Sequence, residues 1–301
     1  MRFSKKKNNQ LVSIIMNCQN GEQYLQKAIN SIISQSYKNW ELIFWDNRST
    51  DNSKKILDSF LDKRIRYFKA KKNTKLYEAR NLAIKKARGK FVSFLDVDDW
   101  WLPQKLEKQM EVFNKDRSLE IVYSKCYWYY QKLKIKKINS ILDLPSGLIT
   151  QKLLNKYVMS ILTVLIKKQL FKYYRFNKNF DIIGDYDFFL RISTNKKIEC
   201  VQEPLAFYRS HGSNLSKLKM GRFISELTHW INKNRKMKMF KNFSFRGIII
   251  TLQCLKIQKL LASSKRLYAL KEIFINPFSL KKIKFLIFVF LSKSIFFKFK
   301  S

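Results

Sequence analysis

Glycine and proline are scarce in this chain of 301 residues, with seven of the first and four of the second. Chains that cannot bury a core are poor in apolar residues, whereas 46% of this one is hydrophobic, so a disordered or linker-like protein is excluded. Cysteine is sparse too. Cys18, Cys126, Cys200 and Cys254 are widely scattered with no Cys-x-x-Cys pair, which argues against a zinc site or a disulfide framework and for reduced thiols. No Gly-x-Gly-x-x-Gly or Walker sequence follows the first apolar run, so a dinucleotide fingerprint and a P-loop are both absent. No internal repeat is visible. The apolar run at 285–291 has seven residues, where a membrane span needs about 20. No secretory leader is legible, because Lys5–Lys7 precede only the six-residue run 11–16, which reads as a strand. The expected location is therefore cytoplasmic, peripheral at the inner face of the cell membrane.

Acidic residues are the last scarcity: 22 Asp and Glu against 61 Lys and Arg, a net charge of +39. Such an excess demands an anionic partner, whether nucleic acid, acidic lipid or nucleotide phosphate. A genome biased towards Lys, Ile, Asn and Phe codons would inflate the number. Nucleic-acid binding would require basic and aromatic residues arrayed on a recognisable module, and none is present.

What the sequence has instead is a run, 91–103, around which the rest is organised. Five mostly apolar residues, 91–95, read as a buried strand of a parallel sheet. Asp96, Asp98 and Asp99 follow within four positions, then Trp100, Trp101 and Pro103. Acids crowded at the end of a buried strand are costly unless a cation or hydrogen-bond donors neutralise them. Carboxylates suit Mg²⁺ or Mn²⁺, metals that commonly sit between protein carboxylates and phosphates. A solvated acidic turn is the plain alternative.

Upstream, strands are expected at 11–16, 40–45 and 65–68, the second ending at Asp46. Helices alternate with them: one capped by Asn20 with Gln23 at its third position, one opened by the turn at Asp51, and one over 76–88 stopped by Gly89. This β-α-β-α-β-α-β order implies an α/β, doubly wound, parallel sheet with right-handed crossovers. Ligands of such sheets bind at the carboxyl ends of strands, where Asp46 and the acids 96–99 both fall. Downstream, a helix through Leu106, Met110 and Phe113 leads to strands at 120–124, 127–130, 162–166 and 206–209. A further helix opens at Gly184 and runs to about Ser193. In it Asp187 and Arg191 are spaced for an i,i+4 surface pair, whereas Asp185 has no such partner. His211 reads as a turn residue, with a metal or phosphate contact as the sharper alternative. The two tryptophans read as apolar wedges.

From Ser213 onward, 20 Lys and Arg face two acids, Glu226 and Glu272. This basic helical region, 216–301, is expected to lie on an anionic membrane surface, the alternative being an apolar face docking on the catalytic domain or a second subunit.

Several ordered stretches resemble family 2 glycosyltransferases with the GT-A fold, a Rossmann-like, mostly parallel sheet flanked by helices. Val12-Ser13-Ile14-Ile15-Met16-Asn17-Cys18-Gln19-Asn20-Gly21-Glu22 is similar to their opening strand and loop, and Asp46-Asn47-Arg48-Ser49-Thr50-Asp51 to their Asp-x-x-Ser-Thr-Asp turn. Ala79-Arg80-Asn81 resembles their Ala-Arg-Asn helix, and residues 95–103 their Asp-x-Asp-Asp stretch. Residues 184–191 resemble the helix bearing their catalytic base, and Tyr208-Arg209-Ser210-His211 a stretch closing the domain. The resemblance covers about the first 215 residues, leaving 216–301 as an extension. Asn17-Cys18 stands where Pro-Thr is common, and Gly184 where an acid often precedes the base.

The resemblance implies an inverting, metal-dependent transfer from a nucleotide-diphosphate sugar, with UDP the usual nucleotide, to a glycan or lipid-linked acceptor in cell-surface polysaccharide synthesis. Asp46 would bind the base, Arg80 the ribose or phosphates, and Asp96 the ribose or metal. Asp98 would ligate Mn²⁺ or Mg²⁺, Asp99 would orient the sugar or metal, and Asp185 would be the general base. Transfer to a polyprenyl phosphate, and nucleotide-sugar binding without turnover, remain the rival readings.

Overall fold

A computed structural model describes residues 9–275 and 279–290. Within it the chain divides into two compact units. One contains the chain up to Ile149 together with Val158–His211, and the other contains Thr150–Tyr157 together with the chain from Gly212 onward.

The first unit opens with β1 (Val12–Cys18), α1 (Glu22–Ile33), β2 (Trp40–Asp46), α2 (Ser53–Asp58), β3 (Ile65–Lys69), α3 (Leu76–Ile84) and β4 (Phe91–Phe94). These strands pair in parallel in the order β3-β2-β1-β4, as alternating apolar strands and amphipathic helices dictate. β1, β2 and β4 are buried almost throughout because helices cover both faces of a parallel sheet. The core gathers Ile14, Met16, Leu42 and Phe44 from the sheet with Leu25, Ile29 and Ile32 from α1.

Beyond β4 the sheet becomes mixed. A two-residue strand, β5 (Trp100–Trp101), is followed by α4 (Lys105–Lys115), β6 (Ile121–Tyr130) and β7 (Ile135–Ile138). After residues 150–157 come β8 (Leu165–Lys167), a helix over Gly184–Ser193 and the 13-residue β9 (Ile198–Ser210). β8 runs antiparallel to β4 and β6, β6 lies parallel to β9, and β5 closes antiparallel on β9. The expected fold class holds, with local differences. The two strands read at 120–124 and 127–130 are one, β6, bridged by register shifts around Lys125 that admit the polar interruption as a bulge. The strand read at 162–166 begins only at Leu165, since Ile161–Thr163 forms a 3₁₀ turn. The helix read to Arg88 stops at Ile84, and the Arg88 N–H instead donates to Glu41 Oε1 at 2.6 Å.

Asn20 does not cap α1. It adopts φ 56° and its Oδ1 accepts from the Thr50 N–H at 2.8 Å, so Gly21 takes the capping position. A tie across 30 residues displaced the local capping box.

The second unit contains α5 (Thr150–Asn155), counted before the Gly184 helix, which is α6. It continues with α7 (Leu215–Leu218), α8 (Met220–Asn234), α9 (Arg246–Ala262), α10 (Arg266–Phe274), α11 (Leu280–Ile283) and α12 (Leu286–Phe290). One cluster packs Trp230 of α8 against Phe240 and Phe245, and another joins Ile257, Leu261, Ala269, Ile273 and Val289. The short segment α5 belongs here because it meets α9. A Cβ on Gly247 would lie 2.4 Å from Asn155 Cα, so only glycine admits that approach. The apolar stretch 295–297 lies outside the described residues. No helix among the described residues is long and apolar enough to cross a membrane.

Candidate functional site at the carboxyl ends of the parallel strands

Asp46 ends β2 and is buried. Its Oδ1 accepts from the Ser49 N–H at 2.7 Å and its Oδ2 from the Tyr67 hydroxyl at 2.8 Å, which fixes the plane of the carboxylate. Each oxygen keeps a lone pair for a further donor. The following turn is stitched to the loop after β1. Ser49 Oγ accepts from the Asn20 N–H, Ser53 Oγ from the Gly21 N–H, and Asp51 Oδ2 from the Glu22 N–H. The Ser-Thr-Asp run is thus a clamp that holds two loops together at the strand ends. Nearby, Asn17 and Trp45 are register partners in β1 and β2, and their Nδ2 and Nε1 donors are buried without an acceptor.

Arg80, on α3, is buried, and one guanidinium nitrogen spans both Asp96 oxygens at 2.7 and 2.8 Å. Burial pulls the guanidinium pKa down, but the Asp96 carboxylate, with Tyr77 and Asp185, more than offsets this and pushes it up. Asp96 lies just past β4, and the chain turns tightly there, with the Asp99 N–H donating to the Asp96 carbonyl. The three acids therefore part company. Asp96 turns to Arg80, whereas Asp98 Oδ2 lies 2.9 Å from His211 Nε2. Asp99 is buried, and its Oδ1 accepts from the Arg209 N–H at 2.7 Å. Burial pushes the Asp99 carboxyl well up, and the charges of Asp98 and Asp96 push the same way. Arg209 also donates from Nε to the Asp98 carbonyl and lies over the rings of Tyr24 and Trp100. The pairing of β5 with β9 is what carries Arg209 and His211 across to these acids. Trp100 stacks on Phe207 and meets Lys27, while Trp101 is buried with its Nε1 on the Leu162 carbonyl, so both are occupied in packing.

Asp185 stands in the first turn of α6. Its Oδ1 accepts from the Tyr77 hydroxyl at 3.0 Å and from the Tyr186 N–H at 2.9 Å. Burial pushes this carboxyl above its ordinary 3.8, against the opposing pull of Arg80, the Tyr186 N–H and Tyr77. The glycine before it has a steric reason: a Cβ on Gly184 would fall 2.4 Å from the Tyr77 ring. Tyr77 occupies the space that an acidic side chain at 184 would need. Asp187 is not a surface residue as expected. It is buried, and its Oδ2 accepts from two Arg191 nitrogens at 3.0 and 2.8 Å.

The structure thus brings Arg80, Asp96 and Asp185 into one electrostatic group and Asp98, Asp99, Arg209 and His211 into another, with Asp46 at the end of β2. No group of three or more His, Cys, Asp or Glu side chains among the described residues could hold a metal ion on its own. The pair Asp98 and His211 nevertheless fits a divalent cation that draws its remaining ligands from phosphate oxygens and water. Carboxylate and imidazole suit Mn²⁺, and such ions commonly use only one or two protein carboxylates beside a nucleotide. Tyr77 was not legible as a site residue, although its i,i+3 spacing to Arg80 puts both on one face of α3, with the guanidinium 5.2 Å from the ring centroid. His211 was legible only as an alternative, because no local rule joins residues 98 and 211.

An α/β sheet in which β2 ends at Asp46 and β4 leads into Asp96, Asp98 and Asp99 is of the Rossmann-like class, whose ligands bind at the carboxyl ends of parallel strands. The model of glycosyl transferase family 2 matches residues 13–168, and the chain belongs to that family; it is a glycosyltransferase. The Escherichia coli protein WfgD, a UDP-Glc:alpha-D-GlcNAc-diphosphoundecaprenol beta-1,3-glucosyltransferase, is 32% identical over 186 residues, 62% of this chain and 70% of WfgD. A crystal structure of S. aureus TarS 1–349 in complex with UDP superposes with a TM-score of 0.56 at 17% identity, covering 87% of this chain and 87% of that fragment. The mannosyltransferase PcManGT from Pyrobaculum calidifontis, in complex with GDP-Man and Mn²⁺, reaches 0.60 at 13% identity over 92% of this chain and 79% of its own. The architecture is the GT-A fold.

Proposed function

We propose that this glycosyltransferase moves a sugar, with inversion, from a nucleotide-diphosphate donor, UDP-linked by preference, to a hydroxyl of a lipid-linked glycan in cell-surface polysaccharide synthesis. The observation that carries the reading is the convergence after β4 of Asp98 facing His211 and Asp96 held by Arg80. The WfgD name supports a UDP-sugar donor and a diphosphate-lipid acceptor, and PcManGT with Mn²⁺ supports a divalent metal.

In this reading Asp46 receives donors from the base, and the open Asn17 and Trp45 donors meet its acceptors. Asp96 takes ribose hydroxyls while Arg80, kept charged, faces the phosphates. Asp98 and His211 would hold Mn²⁺ or Mg²⁺, which when bound would supply positive charge beside the diphosphate. Asp99, fixed by the Arg209 N–H, orients the sugar. Asp185 takes the proton of the acceptor hydroxyl as its oxygen bonds the anomeric carbon and the bond to the diphosphate breaks. An elevated pKa suits that role, since a base works best when its pKa approaches the working pH.

The second unit is assigned to an anionic membrane surface, with the enzyme peripheral at the cytoplasmic face. Leu267, Tyr268, Phe274, Leu280 and Ile287 are exposed there amid an excess of lysine and arginine. The residues 1–215 would form the transferase domain, and 216–301 the membrane-facing extension.

Nucleotide sugars screened by thermal unfolding test the site, because a ligand present at a hundredfold excess over Kd stabilises the folded state by about 2.7 kcal/mol. UDP-sugars are expected to protect in the presence of Mn²⁺, and Asp98→Ala to remove the metal-dependent part of that protection. Unchanged metal dependence in the variant would show that the cation is held elsewhere.

A further inference from the structure

A second concavity opens at the other end of β4. It lies in the first unit, between the C-terminal end of α3, the start of β4 and the segment after β8, and encloses about 1090 Å³. Phe91 begins β4 at this cavity and Asp96 lies past its far end, so five residues of extended chain, about 17 Å, separate it from the carboxylate site. The transferase chemistry makes no use of it.

Its charge is one-sided. Eight of the eighteen lining residues are Lys or Arg and one, Glu78, is acidic. That ratio of eight to one exceeds the 61 to 22 of the whole chain, so the overall composition does not account for it. Two of the cations are tied down, Lys167 Nζ to the Arg117 carbonyl and Lys168 Nζ to the Ala87 carbonyl. The other six, Lys85, Arg88, Lys90, Lys172, Arg175 and Lys178, are exposed, and their side chains make no ion pair among the described residues. Like charges so gathered repel one another until an anion arrives.

The walls are apolar. Leu82, Ile84 and Phe171 line the interior beneath the cationic rim. Tyr173 stands 82% exposed one residue from Lys172. A free phosphate would satisfy the rim and leave the walls wet. A single-stranded nucleic acid would need open aromatic faces, but Phe171 stacks on Phe188 with centroids 5.4 Å apart, and Phe176 on the same ring at 4.3 Å. A ligand joining negative charge to apolar bulk fits both parts, and an exposed tyrosine belongs at the level of lipid headgroups.

We infer that this hollow is a docking site for anionic phospholipid, the headgroup phosphate lying among Lys90, Lys172 and Arg175 and the first carbons of the chain against Leu82 and Phe171. The site is built by the first unit alone and does not rest on the membrane role assigned to the second.

The test uses the full chain and sedimentation with vesicles of phosphatidylcholine containing phosphatidylglycerol. The triple variant Lys90→Glu, Lys172→Glu, Arg175→Glu is compared with a charge-matched control, Lys63→Glu, Lys115→Glu, Lys132→Glu, whose positions are also exposed. The rim variant is expected to lose about ten-fold or more in vesicle partition, and the control less than about three-fold. Thermal unfolding and protection by UDP-sugar should match wild type in both, showing that fold and donor site survive. Equal losses in the two variants, or none in either, overturn the site. So does displacement from vesicles by inorganic phosphate at matched ionic strength, which would mark a free-phosphate site. Loss of poly(U) binding by the rim variant with vesicle partition intact would likewise overturn it in favour of nucleic acid.

Discussion

Asp185 and Asp187 stand two positions apart in α6, yet their surroundings assign them different work. Asp187 is closed in by Arg191, whereas Asp185 accepts one shared tyrosine proton and one backbone N–H. Asp185→Asn keeps the shape but cannot take a proton, so turnover should fall by a factor of about 10²–10⁴ with nucleotide affinity nearly unchanged. Asp187→Asn is expected to do the reverse. It weakens charge-assisted hydrogen bonds worth about 1.5–3 kcal/mol, visible in denaturant unfolding, while turnover per folded molecule survives. Were Asp187→Asn the inactive variant and Asp185→Asn normal, the base would be misassigned; full activity of both on a hydroxyl acceptor would sink base assistance. Tyr77 carries a pH signature as well. Its hydroxyl stabilises the Asp185 carboxylate, so Tyr77→Phe should raise the pKa of that group further. A base acts only when deprotonated, so the acidic limb of kcat should move to higher pH, a displacement that mere loosening of the fold would not produce. Kinetics across the acidic range check it.

At the level of elements, β1 and β4 approach so closely that Gly89 has no room for a side chain. A Cβ there would lie 2.5 Å from the Leu11 carbonyl oxygen and 2.8 Å from Ser13 N and Oγ. The same glycine N–H donates to Ser13 Oγ, which itself donates to Glu41 Oε1 at 2.6 Å. Gly89→Ala must therefore push apart β1 and β4, whose far ends lead into the candidate site. It should cost about 1–3 kcal/mol in denaturant unfolding. A loss under about 0.5 kcal/mol would mean that the strand entry relaxes freely. The residue reads from sequence as a helix stop. Its structural role is space, which no run of neighbours records.

For the molecule as a whole, two surfaces are distinguished by composition: the exposed apolar residues of the second unit and the cationic hollow of the first. Leu267→Glu with Tyr268→Glu removes two side chains that are 81% and 67% exposed, so folding should be little affected. Partition onto anionic vesicles should drop about ten-fold while protection by UDP-sugar stays intact. Undiminished partition would assign those residues to a protein contact instead.

How much of this was legible follows from the range of each interaction. Strand and helix order through β4, the strand-end position of Asp46 and Asp96–Asp99, and the family all come from patterns within a few residues, and local physics writes those patterns directly into the sequence: period 2 or 3.6 in apolar residues, turn chemistry, acids after an apolar run. The basic, broken-helix character of the C-terminal region is likewise a matter of composition. Only the tertiary structure decided that Asp98 meets His211 across 113 residues, that Arg209 fixes Asp99, that Tyr77 fills the space before Asp185, and that residues 150–157 pack with α9. Each joins side chains distant along the chain, and the pairing of β5 with β9 or the close approach at a glycine brings them together. Such contacts are properties of the packed core, and nothing in the spacing of neighbouring residues encodes them.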